Sequence, residues 1–154
     1  MLKKYSIVVA DTSCFILLDK IDQLDLLQKI FGSVSTTKEI AIEFNRLLPS
    51  WVHIQAVKND RYRQLLEIEV DRGEASAIAL ALEEENSLLI LDDAKARKLA
   101  SSLNLNFTGT LGLFLKAKQL GIVSDIKPLL EKIQKTNFRF SESILKDILK
   151  EANE

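Results

Sequence analysis

The chain has 154 residues, 47% hydrophobic and 28% charged, with 21 basic against 22 acidic side chains and a formal net charge of −1. Those values fit one compact globular unit with a substantial apolar core and exclude a disordered chain. They also exclude nucleic-acid binding by bulk attraction, which leaves only a local basic patch or a bound metal to provide it.

The first 18 residues combine two lysines with an apolar run, the outline of a secretory signal. Asp11 interrupts that run and no small-residue cleavage site follows, so a buried first strand accounts for it better. A single cysteine, Cys14, excludes an internal disulfide and suits a reducing compartment. No segment approaches the roughly 18 unbroken apolar residues of a membrane helix. The expected location is the cytoplasm, with no membrane partner.

Residues 6–10 (SIVVA) are a β-branched run without polar alternation, as expected of a strand covered on both faces. Asp11, Thr12 and Ser13 supply helix-capping chemistry for a short helix over 15–18. A second helix spans 24–30 and closes at Gly32. A brief strand over 33–35 leads to Thr36 and Thr37, placed to cap a helix that runs through Leu48 and ends before Pro49. A strand over 51–57 and a helix over 60–70 follow, with Asp71-Arg72-Gly73 as the break.

Residues 74–85 form the clearest helix, with Ala75, Ile78, Ala79 and Leu82 on one stripe and Glu83, Glu84 and Glu85 toward water. A second apolar strand, 87–91, runs into Asp92-Asp93. Then come a helix over 94–103, a short strand near Phe107, a turn at 108–110, and a helix over 111–120 that stops at Gly121. Two amphipathic helices, over about 126–134 and 142–152, pack on the body or on a second copy. Strands alternating with helices, without linker or repeat, argue for a three-layer α/β/α sandwich on a mostly parallel sheet.

In such sheets ligands bind outside the carboxyl ends of the strands. Two apolar strands here end in aspartate, at Asp11 and at Asp92-Asp93. Two helical glutamates complete the set. Glu74 lies about 40° from Ile78, and Glu43 about 40° from Leu47, each at the edge of an apolar stripe. Glu39 is worse placed. Taken singly, Asp11 or one of Asp92 and Asp93 reads as a helix cap, Glu74 as a partner of the helix dipole, and Glu43 as solvated surface. Together, carboxylates this close would raise one another's pKa, and a hard divalent cation relieves that conflict. Lys95, Arg97, Lys98, Lys116 and Lys118 flank the mouth of such a site as possible phosphate contacts. His53, without a second His or a reactive serine nearby, reads as structural, Cys14 as core and Trp51 as packing.

VVADTSCFILL, RGEASAIALALE, LLILDDAKARKLA and FTGTLGLFLKAKQLGIV resemble, in that order, the motifs of the PIN-domain family, in a prokaryotic subgroup related to toxin–antitoxin ribonucleases. The resemblance implies a single PIN-like domain over 1–154 and a Mg²⁺- or Mn²⁺-dependent endoribonuclease. Asp11, Glu43, Glu74 and Asp93 would be catalytic, with Asp11, Glu74 and Asp93 holding the metal. Thr12, Ser13 and Asp92 would support them, and Lys95, Arg97 and Lys98 would contact RNA. It further implies an antitoxin partner and a homodimer. Glu74 stands where many relatives carry Asp. A haloacid-dehalogenase phosphatase is disfavoured because Ser13 stands where its second Asp belongs, and a receiver domain because the acidic pair follows a later strand. A PIN-like binding module without catalysis is the rival reading.

Overall fold

A computed structural model describes residues 4–154. Among the described residues, five parallel strands form one sheet in the order β3-β2-β1-β4-β5. They are β1 (Ile7–Ala10), β2 (Val34–Thr37), β3 (Val52–Gln55), β4 (Ser87–Ile90) and β5 (Asn106–Thr108). The helices are α1 (Thr12–Lys20), α2 (Asp25–Phe31), α3 (Lys38–Phe44), α4 (Asp60–Leu66), α5 (Arg72–Leu82), α6 (Ala94–Ser102), α7 (Thr110–Gln119), α8 (Lys127–Gln134) and α9 (Glu142–Glu151).

The expected three-layer α/β/α sandwich is what forms. β1 and β4 are central and lie under helices, which is why their sequences carry no polar alternation. The alanine-rich α5 lies across β1, β2 and β4, its small side chains letting helix and sheet approach closely. On α8 and α9, Leu129, Leu130, Ile133 and Leu145 are buried, and α9 packs on α7, so the tail closes onto the body. The Glu154 carboxylate accepts from the Ile126 and Lys127 amides at 2.8 and 3.0 Å, supplying the acceptor that the start of α8 lacks. Among the described residues, no helix is long and apolar enough to cross a membrane.

Several boundaries differ from expectation. α1 starts at once after Asp11, and β2 continues to Thr37, which still caps α3 by accepting from the Ile40 amide at 3.2 Å. α3 stops at Phe44 because Asn45 takes the left-handed conformation at φ 54°. Leu47 is therefore no part of a helical stripe and stands 97% exposed. α5 begins at Arg72: Asp71 is its cap and not a break. Glu83, half-buried, accepts from the Lys58 and Asn59 amides at 2.9 and 2.8 Å, clipping the loop before α4. His53 lies exposed on β3, which is an edge strand as expected.

Candidate active site

β1 and β4 pair in step from Ile7 with Ser87 to Ala10 with Ile90. Beyond that register the Asp11 amide donates to the Ile90 carbonyl at 3.3 Å, and the Leu91 amide donates to the Thr108 carbonyl at 2.9 Å. Asp11 and Asp92 therefore leave adjacent strands at the same end of the sheet. That point is where the strand order reverses, the usual crevice of a parallel sheet.

Asp11 is only 3% exposed. It occupies the cap position of α1, yet its carboxylate makes no capping hydrogen bond. Burial pushes its pKa up to about 7, with repulsion from Asp71, Glu43 and Asp92 adding to it and the Thr12 amide working against it.

Glu74 enters from the first turn of α5. Asp71 accepts from the Glu74 amide at 2.8 Å, and Glu74 reaches back to accept from the Asp71 amide at 3.3 Å. This capping box fixes the start of the helix and holds the Glu74 carboxylate beside Asp71. Burial, then the charges of Asp71, Asp11 and Asp93, raise its pKa to about 8.

Glu43 comes from the last turn of α3. Its position follows from a hydrogen bond and a steric fit instead of the expected stripe, since the helix ends before Leu47. The Thr12 hydroxyl donates to Glu43 Oε2 at 2.9 Å, and the carboxylate lies against Gly73 in the first turn of α5. Ser13 is half-buried beside the buried Thr12.

Asp92 and Asp93 divide their tasks. Asp93 is exposed and caps α6, its Oδ2 accepting from the Ala96 amide at 3.0 Å. Asp92 accepts from the Thr110 amide at 2.8 Å and from the Thr110 hydroxyl at 2.6 Å, which fastens β4 to the start of α7. Lys95 and Lys98 are exposed on α6. Arg97 is not free in the same way. Its guanidinium lies 5.3 Å from the Phe107 ring centroid, and its Nε is buried without a hydrogen-bond partner. Lys118 bonds to the Ala152 carbonyl and to Glu154 at the far end of α7, which removes it from the mouth.

Asp11, Glu43, Asp71, Glu74, Asp92 and Asp93 thus form one electrostatic group, each acting on Asp11 or Glu74. Among the described residues, no three His, Cys, Asp or Glu side chains converge closely enough to hold a metal ion. The donor chemistry still suits a hard cation: every donor is a carboxylate oxygen, and Asp11 and Glu74 are held up in pKa by burial first and by the neighbouring acids second. Binding a cation there would expel protons from Asp11 and Glu74.

Asp71, Gly73 and Thr110 escaped the sequence reading. An Asp three residues before Glu74 is a capping-box signature and pointed to the first. The Thr110 contact spans 18 residues of chain and has no local signal.

A family profile described as PIN domain matches residues 7–154. No curated protein and no solved structure matches the chain.

Proposed function

Because the chain belongs to the PIN-domain family, whose members are generally nucleases, we propose that it is a Mg²⁺- or Mn²⁺-dependent endoribonuclease working at this acidic crevice. The observation that carries the reading is Asp11: a buried carboxylate at the end of the central strand that makes no capping hydrogen bond and is ringed by other acids. Asp11, Glu74 and Asp93 would hold the metal, with Glu43 completing the set. A bound divalent cation supplies positive charge at the scissile phosphate and lowers the pKa of water. Thr12 steadies Glu43, Thr110 steadies Asp92, and Lys95 and Lys98 draw the phosphate backbone toward the mouth.

Labelled RNA incubated with the protein and Mn²⁺ should be cut, EDTA should stop the cutting, and Asp11→Asn should abolish it while the circular-dichroism spectrum is unchanged. Full activity in the purified Asp11→Asn protein would refute the assignment. A second reading has its own support. Glu74, Asp92 and Asp93 are already engaged by hydrogen bonds within the chain, as befits a PIN-like module that binds RNA or protein without cutting. RNA retained but intact in Mn²⁺ would select it. The family resemblance extends the proposal to a cytoplasmic toxin with an antitoxin partner and to a homodimer. Co-purification with the neighbouring gene product and light scattering test those two points.

A further inference from the structure

Gly73 sits in the first turn of α5, in a backbone conformation open to any residue. A helical glycine destabilises its helix relative to alanine, so its presence asks for a reason. The reason lies across the site: a Cβ built on Gly73 would stand 2.5 Å from Glu43 Oε1 and 2.9 Å from Oε2. The carboxylate of Glu43 occupies the space that any other side chain would fill.

Beside that space the two helices are tied together. Thr37, at the end of β2, accepts from the Ile40 amide of α3 and bonds to Ser76 of α5 at 2.6 Å, and the Ser76 hydroxyl donates to the Gly73 carbonyl at 2.6 Å. These contacts are buried and tie the start of α3 to the first turn of α5. On its other side Glu43 is held by the Thr12 hydroxyl. A methyl group at position 73 must therefore displace the glutamate tip, the one flexible partner in the contact.

We propose that Gly73 is a positioning residue, a gap in α5 that seats the Glu43 carboxylate in the acidic crevice. This rests on the nuclease reading for its purpose, though not for its geometry. The test uses the full chain with Gly73→Ala and Glu43→Gln, alone and combined. In metal-free protein, the Glu43 carboxyl ¹³C resonance, assigned by its loss in Glu43→Gln, should shift in Gly73→Ala. The melting temperature should hold or rise by about 2 °C, because alanine is the better helix former. Mn²⁺ affinity, followed by the electron paramagnetic resonance of free Mn²⁺, should fall by about tenfold or more, as when a supporting residue of a metal site is lost. It should fall no further in the double variant.

An unmoved Glu43 resonance would overturn the proposal whatever the metal does. So would Gly73→Ala binding Mn²⁺ like the parent while Glu43→Gln binds it weakly. If the parent binds no Mn²⁺ and the resonance still moves, the seat stands and the metal reading falls.

Discussion

Thr110 grips Asp92 twice, its amide on one carboxylate oxygen at 2.8 Å and its hydroxyl on the other at 2.6 Å. Both bonds cross from the end of β4 to the start of α7, and Thr110 is fully buried. Thr110→Val keeps the shape and removes the hydroxyl, leaving one oxygen of Asp92 without its donor. The variant should lose about 1–3 kcal/mol in urea unfolding. Wild-type stability in that variant would mean that water replaces the hydroxyl at no cost.

Burial and like charges hold protons on Asp11 and Glu74 at pH values where the unfolded chain has released them. The sign follows: this contribution is complete below the ordinary carboxylate range and is lost as pH rises through about 7 for Asp11 and about 8 for Glu74. In EDTA, calorimetry should give a higher melting temperature near pH 5.5 than near pH 8.5. Added Mg²⁺ should narrow or reverse the difference. A flat profile in EDTA would show that the two carboxyl groups are solvated.

Burial, with repulsion added, makes Asp11 a stability liability. Asp11→Asn replaces a buried acid with a neutral amide of equal size, so the metal-free variant should melt at or above the wild-type temperature at about pH 8. A marked loss of stability would mean that Asp11 holds the fold together and is not a site reserved for chemistry.

The three basic residues of α6 should separate by assay. Lys95→Ala with Lys98→Ala should weaken RNA binding and reduce its salt dependence by about two ions, with stability unchanged. Arg97→Ala should instead cost about 1 kcal/mol of stability through the lost stack on Phe107. Equal salt effects from all three would return Arg97 to the phosphate-binding surface.

What the sequence made legible follows from what local pattern encodes. β1 and β4 are unbroken apolar runs ending in aspartate because they are covered on both faces, so their place and the direction of their acids were readable. The end of α3 was not. Leu47 and Leu48 continue a helical rhythm that Asn45 cuts by adopting a positive φ, and nothing apolar receives Leu47. Asp71-Arg72-Gly73 has the composition of a break, whereas its reciprocal bonds with Glu74 make it the start of a helix. Arg97 resembles its lysine neighbours along the chain and differs only through Phe107, brought beside it by β5. The Asn45 cap and the Asp71 box are local features whose residue types were there to read, whereas the setting of Arg97 depends on a contact between elements that no window of sequence contains.

The strand order has a consequence for synthesis of the chain. β1 is made before the other strands of the sheet, yet it sits in the middle and borrows one neighbour from β2 and the other from β4. While the ribosome is still producing α3, α4 and α5, one edge of β1 has no strand to pair with, and Asp11 has no Asp92 beside it. A nascent chain stalled before β4 would be exposed to edge-to-edge association and unable to assemble the acidic crevice. The nuclease chemistry proposed for this protein would thus stay switched off until translation has passed the second aspartate-tipped strand.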